Sequence, residues 1–167
     1  MKNYLLNLGK NAKKASLINV KSNIKNKVLK DYINLILNNQ SKIIFENKTD
    51  LKNAKKKKLK KNLIARLILD KKKLLEIINS IKTIISFKDP VDQILLKWKR
   101  PNGLKIEKKT IPIGVIAVIY ESRPNVTSDV AALCFKSGNP VILKGGSEAY
   151  HSNKILTNLF IKALEKN

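Results

Sequence analysis

The sequence predicts an α/β fold in which N-terminal helices and a β-hairpin lead into the start of a parallel sheet. Three patterns support this prediction. Apolar residues recur at helical spacing through the first half, two strand-like segments flank an Asn-Gly pair, and two apolar strands then alternate with helices. We therefore expect three parts: a helical segment at 1–92, a β-hairpin at 93–112 and a partial α/β domain at 113–167.

The helices of the first part are predicted from their apolar spacing and from polar residues at their ends. Ser22 and Asp70 are candidate N-caps, because their side-chain oxygens can accept a hydrogen bond from a free backbone N–H. The lysine-rich run at 52–61 is expected to be a solvated helix end or loop. The expected helix bounds are 4–17, 22–39, 41–45 and 74–87.

A β-hairpin is predicted next. Its strands are QILLKWK (93–99) and LKIEKKT (104–110), which are rich in strand-forming residues. Between them, Asn102 and Gly103 are expected to adopt the two positive φ angles of a tight hairpin turn.

Two further strands are predicted, and with their helices they would open a parallel sheet of the nucleotide-binding type. GVIAVI (114–119) and PVILK (140–144) are apolar at almost every position, as expected of strands that are buried on both faces. A helix should follow each strand, at 127–137 and at 148–165. Because two strands leave unpaired edges, we expect this sheet to be incomplete.

The formal charge of +23 raises the question of nucleic-acid binding. Lysine dominates, however, and the chain has three arginines, whereas nucleic-acid interfaces combine arginines and aromatic residues on one face. Abundant lysine, asparagine and isoleucine favour compositional drift in an A+T-rich coding sequence. We therefore expect no specific nucleic-acid partner, although this much charge binds RNA weakly whatever its origin.

The sequence also argues against membrane and metal sites. No uncharged apolar stretch is long enough to span a bilayer, and the N-terminus lacks the unbroken apolar segment of a signal peptide, so we expect a cytoplasmic protein. With one cysteine and one histidine, the chain cannot build a cysteine/histidine zinc site. We expect no metal.

Three motifs follow one another between residues 111 and 153: YESRPNVT, LCFKSGNPVILKGGSEA and HSN. In them the chain resembles the gamma-glutamyl phosphate reductase (glutamate-5-semialdehyde dehydrogenase) family of the aldehyde dehydrogenase superfamily, in its N-terminal portion only. The resemblance implies an aldehyde-dehydrogenase-like Rossmann-type sheet. It also implies a role in proline biosynthesis, the NADPH-dependent reduction of L-glutamyl 5-phosphate to L-glutamate 5-semialdehyde.

The resemblance assigns a catalytic role to Asn125, whose side-chain amide would donate to the substrate carbonyl oxygen as that oxygen becomes an oxyanion. One such fixed donor lowers the barrier by about 3–4 kcal/mol. The alternative is that Asn125 only caps the helix at Thr127. Glu121 and Arg123 flank the same turn as candidate substrate-binding residues, since a guanidinium binds a carboxylate or phosphate with two hydrogen bonds. A structural ion pair of Arg123 with Glu121 or with Asp129 is equally open.

The resemblance also implies a cofactor site directly after the second parallel strand. A lysine at this strand end and a nearby carboxylate would hold the adenosine ribose. Because Glu148 comes one residue later than the usual superfamily spacing, Ser147 is the alternative ribose contact, and a serine would suit the 2′-phosphate of NADP. There is no G-x-G-x-x-G motif, so NAD remains open. The candidate cofactor-binding residues are Lys144, Gly145, Gly146, Ser147 and Glu148.

Cys134 lies among apolar helix residues with no obvious base, so we interpret it as a buried structural thiol and not as the nucleophile. His151 receives no chemical role. The nucleophilic cysteine of the family would lie in a later domain, so we expect the isolated chain to be inactive. Three interpretations stay open. The chain is half of a split enzyme that works with a separate catalytic chain and forms a homo-oligomer through its hairpin, or it is an inactive gene remnant. The third is a basic RNA- or membrane-surface-binding module on a dead enzyme scaffold.

Overall fold

The computed structural model describes residues 2–167. They form an α/β structure with two small sheets, and the predicted succession of helices, hairpin and parallel strands is confirmed. The helices and strands, in chain order, are α1 (Lys2–Ala15), α2 (Ser22–Asn38), α3 (Gln40–Lys56), α4 (Lys61–Leu67), α5 (Lys71–Ser86), β1 (Ile94–Lys99), β2 (Lys105–Lys109), β3 (Ile116–Tyr120), α6 (Pro124–Lys136), β4 (Val141–Gly145) and α7 (Tyr150–Glu165).

The main hydrophobic core lies between α2, α5, α6 and α7. Leu29, Tyr32 and Ile36 of α2 recur at helical spacing and are fully buried, so one face of this helix forms the centre of the core. The Tyr32 hydroxyl also forms a 2.7 Å hydrogen bond with the hydroxyl of Ser128 in α6. The N-terminal helices and α6 therefore share one core.

Several helix predictions differ from the structure. The third helix extends to Lys56, because Ile43, Asn47 and Asp50 continue its buried face beyond the apolar segment. The first half of the lysine-rich run therefore belongs to α3. A short helix that was not predicted, α4, follows. Ser22 is the first residue of α2 and its side chain does not cap the helix. Asp70, by contrast, caps α5 as predicted, accepting a 2.8 Å hydrogen bond from the Lys73 N–H.

The hairpin strands pair as predicted, with Trp98 opposite Ile106. The turn differs from the prediction, because Gly103 has a positive φ of 86° but Asn102 does not. Pro101 explains this difference: its ring holds φ near −65°, which suits the first central position of an ordinary β-turn. The Gly103 N–H accordingly donates to the Arg100 carbonyl at 2.9 Å, and glycine alone adopts the left-handed conformation.

β3 and β4 pair in parallel with Ile116 opposite Val141 and Tyr120 opposite Gly145. The prediction that both faces are buried is wrong for this chain. Side chains of β3 alternate between partial burial and exposure, and Ile119 is 83% exposed. Since α6 packs against β4 from one side, the apolar side chains of the other face remain uncovered over the described residues.

The start of α7 is fixed by a buried carboxylate on α3. Asp50 is 1% exposed and accepts hydrogen bonds from the backbone N–H groups of His151 and Ser152 and from the Ser152 hydroxyl, at 2.7–3.1 Å. A carboxylate suits the free N–H groups of a helix N-terminus. This contact holds the segment after β4 in place against the N-terminal helices.

Candidate functional site

The candidate site lies where β3 and β4 end. Because the strands are parallel and Tyr120 pairs with Gly145, their carboxyl ends meet at one edge of the sheet. The turn after β3 and the turn after β4 therefore lie side by side. In open α/β sheets, ligands bind in the crevice at this edge.

A direct contact joins the two turns. One carboxylate oxygen of Glu148 accepts hydrogen bonds from the backbone N–H of Ser122 at 2.6 Å and from its hydroxyl at 2.9 Å. Burial raises the pKa of Glu148, but hydrogen bonds from its own N–H and from Ser122 outweigh that effect and hold the pKa below its ordinary value. Glu148 is thus a charged brace between the turns.

Ser122 has an unusual backbone conformation. Its φ of 37° lies in the left-handed region, which costs a non-glycine residue on the order of 1–2 kcal/mol. The backbone N–H and the hydroxyl of Ser122 both donate to Glu148, so the Glu148 side chain stabilises the strained turn. The left-handed conformation of Ser122 turns the chain sharply between β3 and α6. This turn brings Arg123 and Asn125 to the edge of the sheet.

Steric constraints require glycine at positions 145 and 146, at the end of β4 and in the turn that follows it. A Cβ at Gly145 would overlap the Nδ2 of Asn153 and approach the Tyr120 ring to 3.2 Å. A Cβ at Gly146 would overlap the Glu148 carboxylate. Both glycines therefore allow close packing of the two turns.

Asn125 lies in the first turn of α6 and does not cap it. The helix begins at Pro124, with Arg123 in the N-cap position, so the predicted helix start at Thr127 was too late. Proline favours this position because the first N–H of a helix has no partner. The Asn125 amide instead donates from Nδ2 to an Asp129 carboxylate oxygen at 3.2 Å.

Asp129 is in an unfavourable environment for a charge. Its second carboxylate oxygen is buried and, within residues 2–167, has no hydrogen-bond partner. Burial raises the pKa of Asp129, and the nearby Ser80 hydroxyl and the Asn125 amide only partly offset this. Perturbed carboxyl groups of this kind concentrate at functional sites.

A cleft of about 570 Å³ opens beside Asn125, between the turn after β3 and the helices α4 and α5. It brings Arg123 and Asn125 together with residues from the N-terminal helices that sequence reasoning did not select. Arg66 is the most informative of these. The only sequence signal for Arg66 was that arginine is rare in this chain. The polar lining residues are Arg66, Lys73, Glu76, Ser80, Arg123, Asn125 and Asp129.

The cations of this cleft differ in their partners. Lys73 pairs with Glu76 on the same helix. In the part of the chain that the structure describes, the Arg66 and Arg123 guanidinium groups form no ion pair and no hydrogen bond, so the ion pair of Arg123 with Glu121 or Asp129 is absent there. Glu121 is exposed and does not line the cleft.

Two of the candidate cofactor residues, Ser147 and Glu148, line a second cleft of about 370 Å³ together with Lys56 and Lys57 from the end of α3, whereas Lys144, Gly145 and Gly146 do not line it. Ser147 is exposed. Lys144 is also exposed, and its ammonium donates to the Gly145 carbonyl at 3.3 Å. Both side chains can reach a ligand at the end of β4, whereas one of the two Glu148 carboxylate oxygens already accepts both hydrogen bonds from Ser122.

Two other sequence predictions can be compared with the structure. Cys134 is buried in α6 and burial raises the pKa of its thiol, so the prediction of a buried structural cysteine is confirmed. His151 lies at the start of α7, 3.4 Å from the Glu46 carboxylate. Across residues 2–167, no helix is long and apolar enough to cross a membrane.

Comparisons with known proteins agree with the motif resemblance. No family model matches the chain. The chain is 48% identical over 155 residues to gamma-glutamyl phosphate reductase from Clostridium tetani, which covers 92% of this chain and 36% of that protein. The crystal structure of gamma-glutamyl phosphate reductase from Thermotoga maritima superposes with a TM-score of 0.93 at 37% identity, over 98% of this chain and 40% of that one.

A more distant structure shares the fold alone. A Bacillus subtilis protein assigned as an aldehyde dehydrogenase gives a TM-score of 0.66 at 17% identity, over 91% of this chain and 32% of that one. The chain spans about two fifths of the length of the reductases it matches. Its sequence and its fold agree in one conclusion: the chain belongs to the gamma-glutamyl phosphate reductase family.

Proposed function

We propose that this chain forms part of a cytoplasmic enzyme of proline biosynthesis, which reduces L-glutamyl 5-phosphate with NADPH to L-glutamate 5-semialdehyde and phosphate. One observation carries the proposal. Asn125 shares a cleft with two guanidinium groups that lack a protein partner, at the edge of the sheet where α/β enzymes bind ligands.

Asn125 is the oxyanion donor in this proposal. A side-chain amide has two N–H bonds, and the contact with Asp129 uses one of them. The second N–H is then left to donate to the acyl carbonyl oxygen as negative charge develops on it. Because α6 and Asp129 hold the amide, it needs little reorganisation during the reaction.

Arg123 binds the anionic substrate. It precedes Asn125 by two residues and lines the same cleft. A guanidinium makes paired hydrogen bonds to a phosphate or a carboxylate, and glutamyl phosphate carries both. Binding the leaving phosphate next to the reacting carbonyl would also stabilise the charge that it gains. Glu121, exposed beside this turn, is the weaker candidate for a substrate contact.

The residues after β4 suit NADPH. Lys144 and Ser147 are exposed at the strand end and offer a cation and a hydroxyl to a 2′-phosphate. Gly145 and Gly146 let the turns after β3 and β4 pack closely, and Glu148, engaged by Ser122, braces the site. We therefore favour Ser147 over Glu148 as the ribose contact. When bound, NADPH supplies the hydride for the reduction.

The exposed apolar surface supports a larger assembly. Ile113 and Ile119 of the parallel-sheet region are 87% and 83% exposed, and the hairpin exposes Leu95, Leu96 and Trp98. Exposed apolar patches mark interfaces. We propose that further reductase polypeptide, continuous with this chain or separate from it, covers the sheet and supplies the nucleophilic cysteine. We also propose that the hairpin takes part in a homo-oligomer.

The test has two parts. The tagged chain is isolated from its native cells, and peptide mass spectrometry should find the remaining reductase sequence at matched abundance. The assembly should oxidise NADPH only when L-glutamyl 5-phosphate is present, whereas the purified 167-residue chain should not. An intact assembly without this activity would overturn the proposal, and activity of the chain alone would overturn the need for further polypeptide.

A further inference from the structure

We propose that Arg66 is a second anion-binding residue of the substrate site, which binds a carboxylate or phosphate group of the substrate from the wall of the cleft opposite Asn125. This inference rests on the proposed function and deepens it. It assigns a substrate-binding role to the N-terminal helices, whose other evident task is to complete the core.

Arg66 lies at the edge of the cleft with an exposed side chain, and the backbone that carries it is anchored. It lies in the last turn of α4, and the next residue, Leu67, is fully buried. The side chain of Asn47 fastens this segment to α3: its Nδ2 donates to the Leu67 carbonyl at 2.8 Å, and its Oδ1 accepts from the Leu69 N–H at 2.9 Å. The backbone beside Arg66 is therefore anchored through buried groups, as a binding residue requires.

The protein does not supply an anion for Arg66. Within residues 2–167 the guanidinium has no ion pair and no hydrogen bond, although two carboxylates line the same cleft. Glu76 pairs with Lys73. Asp129 accepts from Asn125 with one oxygen, and its other oxygen is buried. With both carboxylates occupied or inaccessible, the cleft keeps an excess of positive charge that a ligand anion can neutralise.

The choice of residue type also indicates a specific role. Thirty-five residues of the chain are lysine or arginine, and arginine occurs only at Arg66, Arg100 and Arg123. Two of these three line the cleft that contains Asn125. Where only positive charge is needed this chain uses lysine, so arginine at both places points to the paired hydrogen bonds that a planar guanidinium makes with carboxylate or phosphate.

The small number of arginines allows a direct test. Three Nε–H signals are expected in a ¹⁵N NMR spectrum of the whole chain, and single Arg→Lys variants assign them. The probes are inorganic phosphate and L-2-aminobutyrate, which has an α-carboxylate but no side-chain acid. Titrations at constant ionic strength remove the general effect of the high charge. Arg100, in the hairpin turn and outside the cleft, is the internal control.

The Arg66 signal should shift to saturation with at least one probe, and the probe that acts identifies the anion. Arg66→Met should weaken that binding about tenfold or more, whereas Arg100→Met should leave it unchanged, with folding checked by circular dichroism. The inference is overturned if the Arg66 signal does not shift, or if it shifts only as much as the Arg100 signal does. If Arg123 alone responds, the proposed substrate site stands without Arg66; if neither cleft arginine responds, both proposals fail.

Discussion

Asn125 and Asp129 form a hydrogen bond across one turn of α6, with 3.2 Å between Nδ2 of the amide and the nearer carboxylate oxygen. The bond fixes the orientation of an amide that otherwise rotates freely at the start of a helix. It also places a partly buried carboxyl group next to the atom that would donate to the substrate. Two of the predictions below depend on this pair.

Asn125→Ala should lower kcat of the assembled reductase by about 10²–10³-fold, because it removes the oxyanion donor but no core contact. Steady-state NADPH oxidation with L-glutamyl 5-phosphate measures the effect. Asn158→Ala is the matched control, since Asn158 is an exposed asparagine that lines a different cleft. Equal activity of the two variants would remove Asn125 from the mechanism.

Asp129→Asn should stabilise the chain at neutral pH. Burial raises the pKa of Asp129 above its ordinary value of 3.8, so the folded state binds a proton more tightly than the unfolded chain does. The stability linked to this group is fully present below pH 3.8 and is lost as the pH rises through the folded-state pKa. An isosteric amide avoids that loss.

Thermal unfolding of wild type and Asp129→Asn, followed from pH 3 to pH 8, measures this difference. The melting temperatures should coincide at the acid end and diverge in favour of the variant as the pH rises. A gap that does not change with pH would contradict the titration of Asp129 as its cause. In the assembled enzyme the same variant should lower kcat more than it changes KM, because it disturbs the orientation of Asn125.

Gly145→Ala should destabilise the chain by about 1–3 kcal/mol, a usual cost of overpacking. The new methyl group would displace the Asn153 side chain, whose Oδ1 accepts a 2.9 Å hydrogen bond from Thr127. Gly9→Ala is the opposite control. Gly9 lies within α1 with nothing near its Cβ position, so alanine there should stabilise by about 0.5–1 kcal/mol. Urea unfolding gives both values, and a neutral Gly145→Ala would show that Asn153 moves freely.

Asp89→Asn should destabilise the chain by about 3–5 kcal/mol. Lys25 is 1% exposed and its ammonium contacts both Asp89 oxygens at 3.0–3.1 Å, so the variant leaves a buried charge without its partner. Glu76→Gln, which breaks the exposed pair with Lys73, should change the free energy of unfolding by at most about 1 kcal/mol. Similar losses in the two variants would mean that burial does not matter here.

Acid should also weaken the Lys25–Asp89 pair. Burial raises the pKa of Asp89, but hydrogen bonds from the Val91 N–H and from Lys25 outweigh it and leave the pKa below its ordinary value of 3.8. The stability from this group is therefore present above pH 3.8 and is lost as the pH falls through the lower folded-state pKa. Wild type should lose stability in that range more steeply than Asp89→Asn does, as measured by urea unfolding at each pH.

Much of the fold could be predicted because its signals are local. The apolar spacing of α2 and α5, the Asp70 cap and the apolar runs of β3 and β4 each depend on residues close together in the chain. The errors arose where distant residues decide the outcome. The buried face of α3 consists partly of Asn47 and Asp50, and these polar residues are satisfied only by partners 20 or more residues away.

The sequence by itself determined the order of helices and strands, the parallel pair that opens the sheet, and the motifs around Asn125 and Lys144. Only the tertiary structure decided that Arg66, nearly 60 residues before Asn125, faces the same cleft, and that Glu148 binds Ser122 and leaves Ser147 exposed. The physical reason is that a periodic pattern tells which side of a helix is buried, but not which helix packs against it. The shared core of α2, α5, α6 and α7 determines which helices pack together, and this packing places the residues of the site.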